Sequence, residues 1–126
     1  MCADGAHILS VAVGEPLNNY QAVCGALRGL RELWELSPSR ITVSTVGVVN
    51  KMRTLAADAP GISLALSLHA ATQETRLKLV PSSAAYSVEK LMSAVDDYTA
   101  AANRSVMIEF ILIANLNDTL AEAMGA

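Results

Sequence analysis

Two periodicities alternate regularly along this chain, and that alternation limits its fold more than any other feature. Short apolar stretches with a two-residue repeat are separated by stretches whose apolar residues recur every three or four positions. Residues 62–68 show the first pattern most clearly. Ile62, Leu64, Leu66 and Leu68 point one way, and Ser63, Ala65 and Ser67 the other. Residues 7–13 and 40–46 also read as strands, as do residues 105–113, an apolar run with Glu109 inside it. Between them lie helical patterns. Residues 19–36 place Val23, Ala26, Leu27, Leu30 and Trp34 on one face. A short helix carries Val49, Met52, Leu55 and Ala56, and another is capped by Thr72. A further helix is capped by Ser87 and carries Val88, Leu91, Met92, Val95 and Tyr98, with Asn103 as its stop. Residues 117–126 read as the start of one more helix. The order β-α-β-α-β-α-α-β-α predicts an α/β fold of about four parallel strands with right-handed crossovers. Large residues on one strand face suit packing under helices, and small ones on the other suit the crowded inside of a barrel.

A chain of 126 residues makes one domain with its own core. Aromatics are 4% of a sequence that is 52% hydrophobic, so the core must be built from Val, Leu, Ile and Ala. No apolar run is long enough to suggest a membrane span, and no basic-then-apolar start suggests a signal or transit peptide. Cys2 and Cys24 make neither a disulfide framework nor a metal site; Cys24 reads as a small core residue, and a reducing compartment is the expectation. The net charge of −3, with basic residues scattered, argues against strong nucleic-acid binding by this chain alone.

In a parallel α/β sheet ligands bind at the carboxyl ends of the strands. Glu15, Ser44 and the run Ser67-Leu68-His69 all fall at or near such ends, so their polar groups should converge on one mouth. Each has a plainer reading. Gly14 permits a sharp turn, Pro16 extends the residue before it, and Asn18 or Asn19 can cap the next helix, so Glu15 serves equally as a turn cap. Ser44 and Ser67 serve equally as small inward residues, and His69 as a backbone-bonded histidine. Glu109 reads as a buried carboxylate paired structurally with an unnamed partner. Arg76 reads as solvated, and Asn117-Asp118 as a turn and capping pair. The sequence has no phosphate-binding glycine loop and no nucleophile beside an evident base.

Taken in order, several segments resemble one family. They are Gly14-Glu15-Pro16-Leu17 with Asn19-Tyr20, then Leu36-Ser37-Pro38, Arg40-Ile41-Thr42-Val43-Ser44-Thr45 and Gly47-Val48-Val49. Leu64-Ala65-Leu66-Ser67-Leu68-His69-Ala70, Leu79-Val80-Pro81 and Asn117-Asp118 follow. The set is similar to the radical S-adenosylmethionine adenine-C2 methyltransferases of the RlmN type, to which the C8-methylating Cfr enzymes are related. The resemblance implies a partial (β/α) barrel of the radical SAM type holding S-adenosylmethionine and a [4Fe–4S] cluster. It implies that Gly14, Glu15, Ser44, Ser67, Leu68 and His69 bind S-adenosylmethionine. It also implies reductive cleavage of S-adenosylmethionine to a radical that activates a methyl group held on a cysteine. That methyl goes to an adenine of large-subunit rRNA or of tRNA.

This chain departs from the family pattern. The Cys-x-x-x-Cys-x-x-Cys cluster motif and the methyl-carrying cysteines are absent. Val11-Ala12-Val13 stands where Met-Gly-Met is usual, Val46 replaces Ser, and Ala71 replaces Pro. Ala114 replaces an acidic residue, and Ser82-Ser83-Ala84-Ala85 replaces a stretch that ends in basic residues. Residues 1–126 are therefore expected to form a single domain, the central part of the barrel. That domain would carry most of the cofactor pocket but no cluster ligands, and would be inactive alone. It would be cytoplasmic, or lie in an organelle if a transit peptide is missing. The open sheet predicts self-association. The alternatives are a degenerate binding module without catalysis and a truncated gene product.

Overall fold

The computed structural model describes residues 8–10, by their backbone course, and residues 14–125. Four strands form one sheet in the order β1-β2-β3-β4: β1 Ile8–Ser10, β2 Ile41–Thr45, β3 Ser63–Ser67 and β4 Met107–Glu109. Every pairing is parallel, as the helical returns require. The helices are α1 Tyr20–Glu32, α2 Val49–Asp58, α3 Gln73–Leu79, α4 Val88–Ala102 and α5 Leu120–Gly125.

The large residues of β2 and β3 drive the packing. Ile41, Val43, Leu64 and Leu66 are fully buried beneath Leu27 of α1, Met52 and Leu55 of α2, and Leu91 and Ala94 of α4. Tyr98 completes this layer, its hydroxyl donating to the Ile62 carbonyl at 2.7 Å. That bond satisfies the buried polar tip, and burial pushes the phenol's pKa up. The other sheet face carries the small residues Thr42, Ser44, Ser63, Ala65 and Ser67.

Capping follows the sequence. Thr72 accepts the Thr75 N–H at the start of α3, and Ser87 accepts the Lys90 N–H at the start of α4. Asn103 ends α4 in the left-handed conformation, φ +51°.

Three expectations need correction. The first helix stops at Glu32 rather than near residue 36. The chain reverses at Glu35, φ +51°, and the Leu36 N–H returns to the Leu30 carbonyl at 3.1 Å. Leu36 is thereby buried, while Trp34 is 68% exposed. The buried face of α1 is also turned slightly: Tyr20, Val23, Cys24, Leu27 and Leu30 pack inward and Ala26 faces out. The last strand pairs only at Met107–Glu109, because the backbone beyond it bonds to a side chain instead of a ladder. Asn117 Oδ1 accepts the Ile113 N–H and its Nδ2 donates to the Ile111 carbonyl, both at 2.7 Å. The first strand is present at Ile8–Ser10; residues 11–13 and Cys2 lie outside the described residues.

Candidate functional site

Register brings the polar candidates together. Ser67 stands opposite Glu109 in the β3–β4 ladder, and Ser44 lies opposite Ala65, two residues before Ser67 on the same face. Both serine hydroxyls reach the same carboxylate oxygen. Ser44 Oγ donates to Glu109 Oε2 at 3.0 Å and Ser67 Oγ at 2.9 Å, with the two serine oxygens 3.3 Å apart. Glu109 is therefore paired, as its strand position demanded, but with two hydroxyls on the small-residue face at the carboxyl end of the sheet. Sequence reasoning left it out of the site. Aligning the strand ends in parallel would have shown it level with Ser67.

Glu15 takes a different place. Its Oε1 accepts the Leu17 N–H at 2.9 Å and the Thr45 hydroxyl at 2.7 Å, and its Oε2 accepts the Val46 N–H at 2.8 Å. It caps the 3-10 turn Pro16–Asn19 and locks that turn to the end of β2. Asn19, at the cap position of α1, makes no side-chain cap bond, so neither candidate asparagine does what the sequence suggested. Gly14 allows the turn, with φ +100°, a conformation that favours glycine.

Leu68 and His69 form the turn after β3. Both of their N–H groups share the Glu109 carbonyl, at 3.1 Å each. His69 adopts φ +64°. Its Nδ1 is buried with no hydrogen-bond partner among the described residues. Burial, reinforced by nearby Arg76 and opposed by Glu109, holds its pKa below the usual histidine value. Asn117, itself buried, donates to the His69 carbonyl at 2.7 Å and so fixes this turn as well as the strand end.

Arg76 overturns its expected solvation, being 1% exposed. Its Nε donates to the Leu68 carbonyl at 3.1 Å and its Nη2 to the Val46 carbonyl at 2.6 Å. The guanidinium thus ties the loops after β2 and β3 together from behind. Beside it a cavity of about 230 Å³ opens, lined by Glu15, Val46, Gly47, Ser83 and Tyr86. A larger cavity, about 490 Å³, lies at the opposite end of the strands between α1 and the segment leading into β2, away from these groups.

The small-residue face at the carboxyl ends of β2–β4 presents polar groups that a ligand can meet. It offers small side chains, two hydroxyl oxygens and a carboxylate. It does not fit an iron–sulfur cluster. Among the described residues no group of three or more His, Cys, Asp or Glu side chains stands close enough to hold a metal ion, and Cys24 sits alone on α1. No helix among the described residues is long and apolar enough to cross a membrane.

Comparison with known proteins agrees with this architecture. No family model matches the chain. It is 41% identical over 121 residues to a probable dual-specificity RNA methyltransferase RlmN of Moorella thermoacetica, covering 94% of this chain and 34% of that protein. It is 40% identical over 114 residues to the dual-specificity RNA methyltransferase RlmN of Helicobacter pylori, covering 90% and 32%. The crystal structure of a radical SAM methyltransferase from Sphaerobacter thermophilus superposes with a TM-score of 0.91 at 35% identity, covering 95% of this chain and 36% of that one. The chain thus spans about a third of the length of the relatives it matches. By sequence and by fold it is a relative of the RlmN-type radical SAM RNA methyltransferases.

Proposed function

We propose that this chain forms the part of an RlmN-type RNA methyltransferase that receives S-adenosylmethionine at the carboxyl ends of its strands. The convergence of Ser44, Ser67 and Glu109 at the carboxyl ends of the strands carries this reading. S-adenosylmethionine supplies an activated methyl group on a sulfonium. The chain's own residues hold and orient it. Ser44 and Ser67 present hydroxyl oxygens. Gly14, Glu15, Leu68 and His69 shape the rim through the turns after the first and third strands. His69 is half-buried, and desolvation lowers its pKa, favouring the neutral form.

The reaction served is methylation at adenine C2 of large-subunit rRNA and of tRNA, in the cytoplasm. Residues 1–126 act as one unit of the barrel. Because the described residues do not fit a [4Fe–4S] cluster, the isolated chain binds S-adenosylmethionine without transferring its methyl group. Ligand-observed NMR tests this with the purified chain and S-adenosylmethionine at millimolar concentration. Saturation transfer to the ligand, reduced by Ser44→Ala and by Ser67→Ala, is expected. No transfer to the ligand with the folded wild-type chain would sink the reading.

A second reading, an association module, is favoured by the apolar run Phe110–Ile113. Phe110, Ile111, Leu112 and Ile113 all stand exposed beyond β4.

A further inference from the structure

The cavity of about 230 Å³ beside Arg76 is separate from the face that carries Ser44, Ser67 and Glu109, since none of those three lines it. Three of its features call for a negative charge. The first is Arg76 itself. The guanidinium belongs to neither ion pair found among the described residues, Arg53–Asp97 and Lys78–Glu74. Its two bonds go to neutral carbonyls, those of Leu68 and Val46. Burial pulls its pKa down, and no neighbouring carboxylate raises it. A buried cation without a counter-charge is costly, and an anion in the adjoining cavity removes part of that cost.

The second feature is the start of α2. Gly47 and Val48 line the cavity, and α2 begins at the next residue. Val48 holds the cap position, where its side chain has no oxygen with which to accept. The Lys51 and Met52 N–H groups return to the Val48 carbonyl, both at 2.9 Å. Those of Val49 and Asn50 meet no acceptor among the described residues. The helix has ten residues and no acidic side chain in its first turn, so the partial positive charge of its amino end, about half a unit, stands uncompensated. The third feature is Ser83. It is 3% exposed, lines the same cavity, and its hydroxyl has no hydrogen-bond partner among the described residues. Native structures rarely leave such a group unused.

Glu15 limits how much charge the cavity takes. It stands on the same wall, but its two oxygens are already engaged by Leu17, Thr45 and Val46. Arg76 is the only cation among the lining residues. This balance suits one negative charge better than two. We propose that the cavity is a subsite for a phosphodiester group, held by the amino end of α2, the Ser83 hydroxyl and the field of the Arg76 guanidinium. The inference goes beyond the S-adenosylmethionine reading and does not depend on it. Only the naming of RNA as the source of the diester rests on the RNA methyltransferase reading.

The test is an amide-detected NMR titration of the 126-residue chain. Dimethyl phosphate, a singly charged diester, should shift the Val49, Asn50 and Ser83 amides along saturable curves. Sodium chloride at equal ionic strength should not, and doubly charged inorganic phosphate should bind more weakly. Ser83→Ala removes one hydroxyl and should weaken dimethyl phosphate binding by about fivefold. Val48→Asp supplies the missing cap acceptor, so it should occupy the free amides and abolish the shifts. If Val48→Asp disturbs the core, Ser83→Ala still decides. Wild-type amides that do not move, or a folded Ser83→Ala that binds equally well, overturn the inference. Saturating S-adenosylmethionine should leave the dimethyl phosphate shifts in place; displacement would make the cavity part of the pocket already described and overturn a separate subsite. A chain that binds dimethyl phosphate but not S-adenosylmethionine keeps this inference and sinks only the pocket reading. A short single-stranded RNA should shift the same amides, and less so in Ser83→Ala. RNA without effect there would strike RNA as the source and leave the diester subsite.

Discussion

Glu15 and Val46 stand 31 positions apart, and the Glu15 Oε2 accepts the Val46 N–H at 2.8 Å. This bond joins the turn after the first strand to the end of the second. Together with the bonds from Leu17 and Thr45, it makes the carboxylate a structural clasp. Glu15→Ala should therefore cost about 1.5–3 kcal/mol, the range for hydrogen bonds to a charged group in a partly buried place. Urea unfolding checks this. A variant as stable as wild type would mean that the carboxylate spends its time elsewhere.

Asn117 is the buried hub at the opposite side of the mouth, bonded to Ile113, Ile111 and His69. Asn117→Asp keeps the shape but turns a carboxylate oxygen towards two carbonyls. A loss of about 2–4 kcal/mol is expected from unpaired buried polar groups. Hydrogen exchange should show the loosening first at the Ile113 and His69 amides.

Acid should act through His69. Its folded pKa lies below its ordinary value of 6.5, with burial the main cause. The unfolded chain therefore binds the proton first. Stability is fully present above 6.5, declines as pH falls below it, and continues to decline until the folded pKa is passed. His69→Asn tolerates the left-handed backbone and carries no such proton, so its unfolding free energy should have a shallower slope below that pH. Parallel slopes for the two proteins would rule out this origin.

Gly47 has φ +109°, and a Cβ there would run into Leu91 of α4. Gly47→Ala combines backbone strain with overpacking and should cost about 2–4 kcal/mol. Leu91→Ala removes the obstructing methyl, so the double variant should be less unstable than the two single losses added. Additive losses would show that the strain is in the backbone alone.

Beyond β4 the apolar residues Ile111 and Leu112 are exposed, at the last strand of the sheet. Sedimentation velocity should show self-association that increases with concentration. Ile111→Lys with Leu112→Lys should shift the chain towards monomer, since charges there oppose edge-to-edge contact. A wild-type chain that stays monomeric at high concentration would contradict this.

The parallel sheet was readable because each strand carried its own alternation and each helix its own period. Ile62 to Leu68 needed no partner to be recognised. The capping roles of Thr72 and Ser87 were equally local. What escaped depended on residues far away in the chain. Glu109 meets Ser44 across 65 positions and Arg76 meets Val46 across 30, and no local pattern encodes either distance. Trp34 misled for the opposite reason: it continues the helical period, but the chain had already turned away at Glu35. Glu15 was legible as a choice between cap and contact, and its three bonds now weigh on the side of the cap.

The guanidinium of Arg76 sets the separation between two loops through bonds to their backbone carbonyls alone. One prong holds the carbonyl of Val46 and another that of Leu68, so the gap between the strands bearing Ser44 and Ser67 is gauged from the rear. Lysine has a single point of attachment and could not hold both. Replacing Arg76 with lysine would let the two loops drift apart and blur the pocket's outline while every side chain inside it stayed the same. A substitution one step behind the serines could thus retune this mouth without changing Ser44 or Ser67 themselves.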